Sequence, residues 1–423
     1  MAYDAEFEKL IQTGRPPNIV KKFPNSKALI VSGKVVDRAL AQKGGAMTIA
    51  ANGRSSLVIR GALLAAQRAD AAIIIEIAKS ESTYCPINFY NIALQVDAAC
   101  NELGITVPVA IHADHYGIKS EDDISFARME IPSMFDAGIT SIAVDASHMP
   151  DDKNLLANIE LSEFIPRWAG LETEVGEIKG EQGLSTVDDA SFLIRGLNAH
   201  GVFADWIALN NGSTHGLEAS GAGIQVELTA EIHQHLQRYN ISGAQHGTSG
   251  NNSEKLRLIA SKTKTTKANV ATALQMISWG LEVNDDGNAS QDPEGNFIKL
   301  AGEGVAEKTW QKMTDFAREK GWSGGNYKKL NLPFENLILA QDAQVRKRMA
   351  GRVEDFVYHL LTEVFNASGT GTIAREMLAA AGTYDLGAKS ERIEDPAQWT
   401  RDKIIERAKT LDVDKGPQGD FDD

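Results

Sequence analysis

Cysteine is scarce in this 423-residue chain. The two present, Cys85 and Cys100, stand in no paired spacing, which excludes a disulfide framework and a thiolate metal site. No apolar run approaches the roughly 18 residues that a membrane span requires. The opening residues MAYDAEFEKL carry acids where a secretory signal needs an apolar centre. Basic residues are outnumbered, 43 Lys and Arg against 57 Asp and Glu, for a formal net charge of -14. A surface of that sign suits neither nucleic acid nor anionic lipid, so neither is an expected partner. A small anionic substrate stays compatible, because one pocket can be locally cationic. The expected setting is therefore cytoplasmic. The composition, 43 % hydrophobic and 24 % charged, supports a large core without staples.

Eight short apolar runs recur with helix-like segments between them: 45–50, 71–76, 107–112, 141–145, 171–175, 206–209, 241–246 and 266–270. Amphipathic stretches intervene at 56–67, 87–103, 191–197 and 228–239. Eight strands at βα spacing over roughly 225 residues favour one closed (β/α)8 TIM barrel, with a core at about 41–284. Residues 1–40 form an N-terminal cover. Turn-rich residues 285–340 form an insertion after strand 8, and 341–423 a C-terminal extension with a last helix at 344–365 and an acidic tail from Gly387 that is predicted to be partly disordered. No internal repeat is evident.

Polar residues gather at the ends of these runs: Asn52, Glu76, His112 with Asp114, Asp145, Glu174, the segment 210–215, His246 and Asn269. In a barrel those ends form the one face that holds the chemistry. The stretch IHADHYG, 111–117, is open to several readings: a metal site, an acid/base site, both, or a polar turn. His112, His215 and His246 together make a three-imidazole set suited to zinc or another divalent metal. Asp114, two residues beyond His112, shares its face on an extended strand. Asp145 and Glu174 end buried runs, where metal or a ligating histidine would explain a carboxylate. The glycine-rich loops NNGSTHG and QHGTSGNN place backbone amides around His215 and His246, as an anion site would. His233 and His235, an HxH on a helix, read as a solvated face.

In combination these motifs resemble the class II, metal-dependent fructose-bisphosphate and tagatose-bisphosphate aldolases. IHADH, AGITSIAVDASHMPDDKN, LETEVGEIKGEQG, NGSTHG, HGTSG and KANVAT follow in that family's order between about Gly45 and Thr272. The resemblance implies zinc on His112, His215 and His246, with Asp145 and Glu174 as alternate or supporting carboxylates. It implies Asp114 as acid/base at the aldehyde oxygen and Glu181 as base in the loop after strand five. Asn52, Asn269 and Thr272 would contact the dihydroxyacetone portion, and Gly216, Gly247 and Ser249 its phosphate, beside a monovalent cation. Partners would be a phosphorylated ketose and triose phosphates, in a homo-oligomer, a dimer or larger.

Four departures stand out. Ala78 takes the place of a usual serine, with Lys79 and Ser80 adjacent, and Gln182 falls in register with the base, beside Glu181. Gln344 stands for an arginine, with Arg346 and Arg348 nearby, and Ala271 gives KANVAT a tagatose-type pattern. Fructose 1,6-bisphosphate cleavage through a zinc-stabilised enediolate is the leading expectation. The same mechanism on another phosphorylated ketose, and a non-catalytic barrel subunit, are the alternatives.

Overall fold

The computed structural model describes residues 5–176, 183–212, 223–248 and 250–411. Eight parallel strands close into one barrel in sequence order: β1 (Thr48–Asn52), β2 (Ile73–Ala78), β3 (Val109–Gly117), β4 (Ser141–Asp145), β5 (Gly170–Val175), β6 (Trp206–Leu209), β7 (Ser242–Gln245) and β8 (Thr265–Val270). The fold is a TIM barrel, as the eight apolar runs predict. Each strand is buried on both faces, which is why the runs read as continuous rather than alternating.

Three helices precede the barrel: α1 (Ala5–Thr13), α2 (Pro17–Lys22) and α3 (Gly33–Lys43). The third plugs the floor. A Cβ at Gly33 would come within 2.6 Å of Ser141 Oγ at the start of β4, so only glycine permits that approach. Asp37 on α3 accepts from Thr266 Oγ1 at 2.7 Å, tying the plug to β8.

The outer ring comprises α4 (Ser56–Ala69), α5 (Ile92–Leu103), α6 (Glu121–Asp136), α7 (Asp151–Leu161), α8 (Val187–Ala199), α9 (Val226–His235) and α10 (Ser253–Lys262), with α11 (Thr272–Trp279) after β8. Local chemistry sets their starts. Ser55 and Ser120 cap α4 and α6 through side-chain oxygens, and Thr186 with Asp189 closes a capping box on α8.

The insertion has its own small apolar core, built on Trp279, Phe297, Met313, Leu330 and Phe334, with α12 (Glu307–Glu319) and α13 (Asn331–Leu339). It does contain a short repeat, eight residues apart. Asn284 Oδ1 accepts from the amides of Asp286 and Asn288, and Asp292 Oδ1 from those of Glu294 and Asn296.

The chain then returns to the ring as α14 (Ala343–His359), continued by a π-helical turn over Leu360–Val364. Gly61 lets α14 cross α4 closely, since a Cβ there would meet Ala350 O at 2.4 Å. The 344–365 helix is not the last. Two more follow, α15 (Thr370–Ala381) and α16 (Arg401–Ala408), and the segment between them is bound to the floor through Lys389, which donates to Asp37 and, at 2.8 Å, to Ser242 Oγ. Disorder predicted from acidic composition alone fails over 387–411 because a few anchors, including buried Trp399, dock it. Among the described residues no helix is long and apolar enough to cross a membrane.

Candidate active site

His112 and Asp114 lie on β3 and are buried, as residues two apart on one interior face should be. Strict alternation would send His115 to the other face. Instead, the register against β4 shifts between Ala113 and Tyr116, and His115 takes a φ of +42°, in the left-handed region. The ring is thereby turned against His246, at 4.3 Å between centroids and 74° between planes. His115 Nδ1 lies 3.3 Å from Glu174 Oε1 and 3.8 Å from Asp145 Oδ2, and His246 Nδ1 lies 3.7 Å from Glu174 Oε2. Side chains from β3, β4, β5 and the residue after β7 thus form one buried cluster at the strand ends.

A second cluster sits one layer deeper around Lys267. Its ammonium is 2.8 Å from Glu172 Oε2, 3.3 Å from Asp114 Oδ1 and 3.4 Å from Glu76 Oε2, and it donates to His112 Nε2 at 3.1 Å. The other ring nitrogen of His112 is 2.7 Å from Ser141 Oγ. Both nitrogens are therefore engaged, and a lysine occupies the place of a cation among Glu76, His112 and Asp114. Burial and then Lys267 pull the His112 pKa down to about 3, so the ring is neutral. The geometry thus sets His112, expected as a metal ligand, in the deeper cluster and brings His115 into the upper one.

The electrostatics separate the carboxylates. Burial alone would raise Asp114, but His115 and Lys267 overcome it and hold Asp114 below the usual carboxylate range. Glu172 is likewise brought down to about 2, by Lys267 and His246 against burial. Glu76 moves the opposite way, raised by burial and by Asp114. Glu174 is raised by burial and by neighbouring Asp145, while Asp145 is lowered because its interaction with His115, together with His148 and the hydrogen bonds from Ser147, outweighs its burial.

A divalent cation fits the upper cluster. His246 Nδ1 and Glu174 Oε1 are buried without a hydrogen bond among the described residues, and unmatched buried polar atoms are costly. Glu172 Oε1 lies 2.7 Å from His246 Nε2. The carboxylate therefore places the ring proton on Nε2 and leaves the Nδ1 lone pair facing Glu174 and His115. Two imidazoles and two carboxylates form a donor set for zinc or a similar ion.

Around this centre, Asn52 ends β1 and Asn269 lies on β8. Each amide nitrogen faces a carboxylate, Asn52 towards Glu81 and Asn269 towards Asp114 at 2.9 Å. Gly247 follows β7 with a φ of +58°, and Thr272 opens α11 at 3.4 Å from Arg54. Glu181, Gln182, His215, Gly216 and Ser249 lie outside the described residues.

Lys79 is turned away to Gly117 O and the Tyr116 ring, while Arg346 and Arg348 bind backbone carbonyls at Gln341 and Gly304. His233 is not on a solvated face. It is buried over Gly243, accepts from the Lys264 amide, and is pulled by burial to a pKa of about 4. Glu172 and Lys267 are the site residues that sequence reading passed over. Both were within reach of period two, one strand step before Glu174 and Asn269.

The sequence model described as fructose-bisphosphate aldolase class-II matches residues 34–320. The chain belongs to that family. Among its relatives, the fructose-bisphosphate aldolase of Streptococcus pneumoniae is 30 % identical over 224 residues, 51 % of this chain and 69 % of that protein. The fructose-bisphosphate aldolase of Staphylococcus aureus is 31 % identical over 121 residues, 28 % of this chain and 39 % of that protein, so this match spans well under half of its length. Solved structures agree in fold. The YdjI aldolase of Escherichia coli K12 superposes with a TM-score of 0.55 at 16 % identity, covering 81 % of this chain and 99 % of that one. The fructose-bisphosphate aldolase of Campylobacter jejuni gives 0.53 at 18 %, covering 81 % and 97 %. A class-II family member is in general metal-dependent, which accords with the clusters above.

Proposed function

We propose that this protein is a metal-dependent aldolase that reversibly cleaves fructose 1,6-bisphosphate to dihydroxyacetone phosphate and glyceraldehyde 3-phosphate. The observation that carries the reading is the convergence of His115, His246, Asp145 and Glu174 beside Asp114 at the catalytic face of the barrel. His115 and His246, with His215 from the loop after β6, would hold zinc or another divalent ion, with Asp145 and Glu174 as supporting carboxylates. A bound ion there would supply positive charge to offset the negative charge that develops on the ketose oxygens.

The chain's own groups do the rest. Asp114, held ionised at the edge of the cluster, takes the proton of the C4 hydroxyl in cleavage and returns it to the aldehyde oxygen in synthesis. Asn269, oriented by Asp114, and Asn52, with Thr272, hold the dihydroxyacetone portion. Backbone amides near Gly247, with Gly216, Ser249 and a monovalent cation, take its phosphate, and Glu181 is assigned the base role in the loop after β5. The protein acts in the cytoplasm as a dimer or larger homo-oligomer.

Ala78 and Ala271 favour one second reading, the same chemistry on another ketose such as tagatose 1,6-bisphosphate. Triose phosphate release from each of the two bisphosphates, with and without a chelator, is the test. Chelator-sensitive cleavage is expected, with fructose 1,6-bisphosphate preferred. Chelator-insensitive cleavage overturns the metal assignment, and absence of cleavage of either compound with metal bound overturns both bisphosphate readings in favour of another phosphorylated ketose or a non-catalytic subunit.

A further inference from the structure

Beside the metal cluster lies a buried pair that the proposed reaction does not use. Glu81 sits on the 3-10 turn Ser80–Thr83 that follows β2, and Arg54 lies two residues beyond Asn52. Both are almost wholly inaccessible, at 2 % and 4 %. Arg54 grips Glu81 Oε1 through Nε at 2.7 Å and Nη2 at 2.5 Å. Glu81 Oε2 accepts from the Ala78 amide at 3.1 Å and from Asn52 Nδ2.

A carboxylate paired with arginine can only accept hydrogen bonds. Asn52 must therefore turn its NH2 towards Glu81 and its carbonyl oxygen away. That oxygen is buried and makes no hydrogen bond among the described residues, and the same holds for Asn269 Oδ1, whose NH2 is claimed by Asp114. Among the described residues the barrel mouth thus presents two amide acceptors without a partner, each oriented by a carboxylate behind it. Acceptors left unmatched in a buried site reward a ligand that brings donors, and penalise one that lacks them.

We infer that Glu81, held by Arg54, is a positioning residue that fixes Asn52 as a hydrogen-bond acceptor and so makes the site selective for the hydroxyl groups of the ketose. The inference rests on the aldolase reading above. The pair also reaches the insertion: Arg54 Nη1 donates to Gln275 Oε1 at 3.0 Å, which accepts from Asn331 Nδ2 at 2.7 Å. The orientation of Asn52 is thereby braced, through Gln275, by Asn331 of the insertion.

The test replaces the acceptor-only group by one that can also donate, Glu81→Gln, so that Asn52 loses its preferred orientation. Cleavage kinetics give KM and kcat, and competition gives the relative affinities of dihydroxyacetone phosphate and of hydroxyacetone phosphate, which lacks one hydroxyl. The expected result is a KM raised on the order of 10-fold with kcat changed less, and a narrowed preference for the hydroxylated compound. A folded Glu81→Gln protein with KM and preference unchanged overturns the inference. Should Glu81→Gln fail to fold because Arg54 is left unpaired, the charge-neutral pair Arg54→Gln with Glu81→Gln is measured against the same expectation. Wild-type protein runs in the same series, and its failure to cleave any ketose bisphosphate counts against the aldolase reading rather than against the role of Glu81.

Discussion

Lys267 Nζ lies 2.8 Å from Glu172 Oε2, with both side chains wholly buried in the barrel. This contact joins the two layers of the site, because the other oxygen of Glu172 holds His246. Removing the cation leaves the buried carboxyl groups of Glu172, Asp114 and Glu76 without their counter-charge. Lys267→Met is expected to cost about 3–5 kcal/mol of stability, read from the shift in a urea midpoint. A variant as stable as the parent contradicts the charge-balance account.

A buried lysine in an aldolase barrel invites a covalent reading, which the electrostatics oppose. Although burial favours the neutral amine, Glu172, Glu76 and Asp114 hold the Lys267 ammonium protonated above its ordinary value, and a protonated amine is no nucleophile. Borohydride added with dihydroxyacetone phosphate should leave activity intact and add no mass to the chain. A trapped adduct on Lys267 refutes this.

His115 and His112 should separate in a metal assay. His115→Ala is expected to lose most bound zinc after dialysis against a weak chelator. His112→Asn should retain the metal yet unfold more readily, because it breaks the contacts to Ser141 and Lys267. The opposite pattern, by atomic absorption, restores His112 as the ligand.

Glu172→Gln tests the support behind His246. Loss of its charge should weaken metal binding by about 10–100-fold, measured by competition with a chromogenic chelator. Equal affinity in the two proteins would show that Glu172 does not set the His246 tautomer.

Stability should also depend on pH through Glu335 on α13, whose pKa burial pushes from 4.5 up to about 7. The folded state keeps this proton longer than the unfolded chain. The stability it confers is therefore full below about pH 4.5 and lost as pH rises through 7. Glu335→Gln should match the parent near pH 4.5 and exceed it at pH 8 by on the order of 1–2 kcal/mol, allowing for partial exposure. Parallel melting curves at the two pH values would contradict this.

The barrel was legible because burying a strand on both faces makes an apolar run, and eight such runs leave little choice of architecture. β4 and β6 fall at the expected residues, Ser141–Asp145 and Trp206–Leu209. Where alternation holds, the positions of Asp114 and Glu174 on the inner face follow from residue spacing, and both side chains are buried there. Alternation does not place His115 in the cluster, because a local break in pairing leaves no trace in residue types. Lys267 went unweighed since a charge inside an apolar run looks like the edge of a strand until its counter-charges, on three other strands, are in place. The helices beyond residue 365 were missed for a related reason: they are held by scattered anchors rather than by a strong apolar period.

The bulge in β3 also bears on whether this centre could be moved to another scaffold. Copying His112, Asp114 and His115 onto a regular barrel strand would deliver the first two side chains inward and the third into the helical shell. What has to be transplanted is the extra backbone residue and its left-handed turn. An idealised barrel, regular by construction, would carry all the right side chains and assemble no cluster.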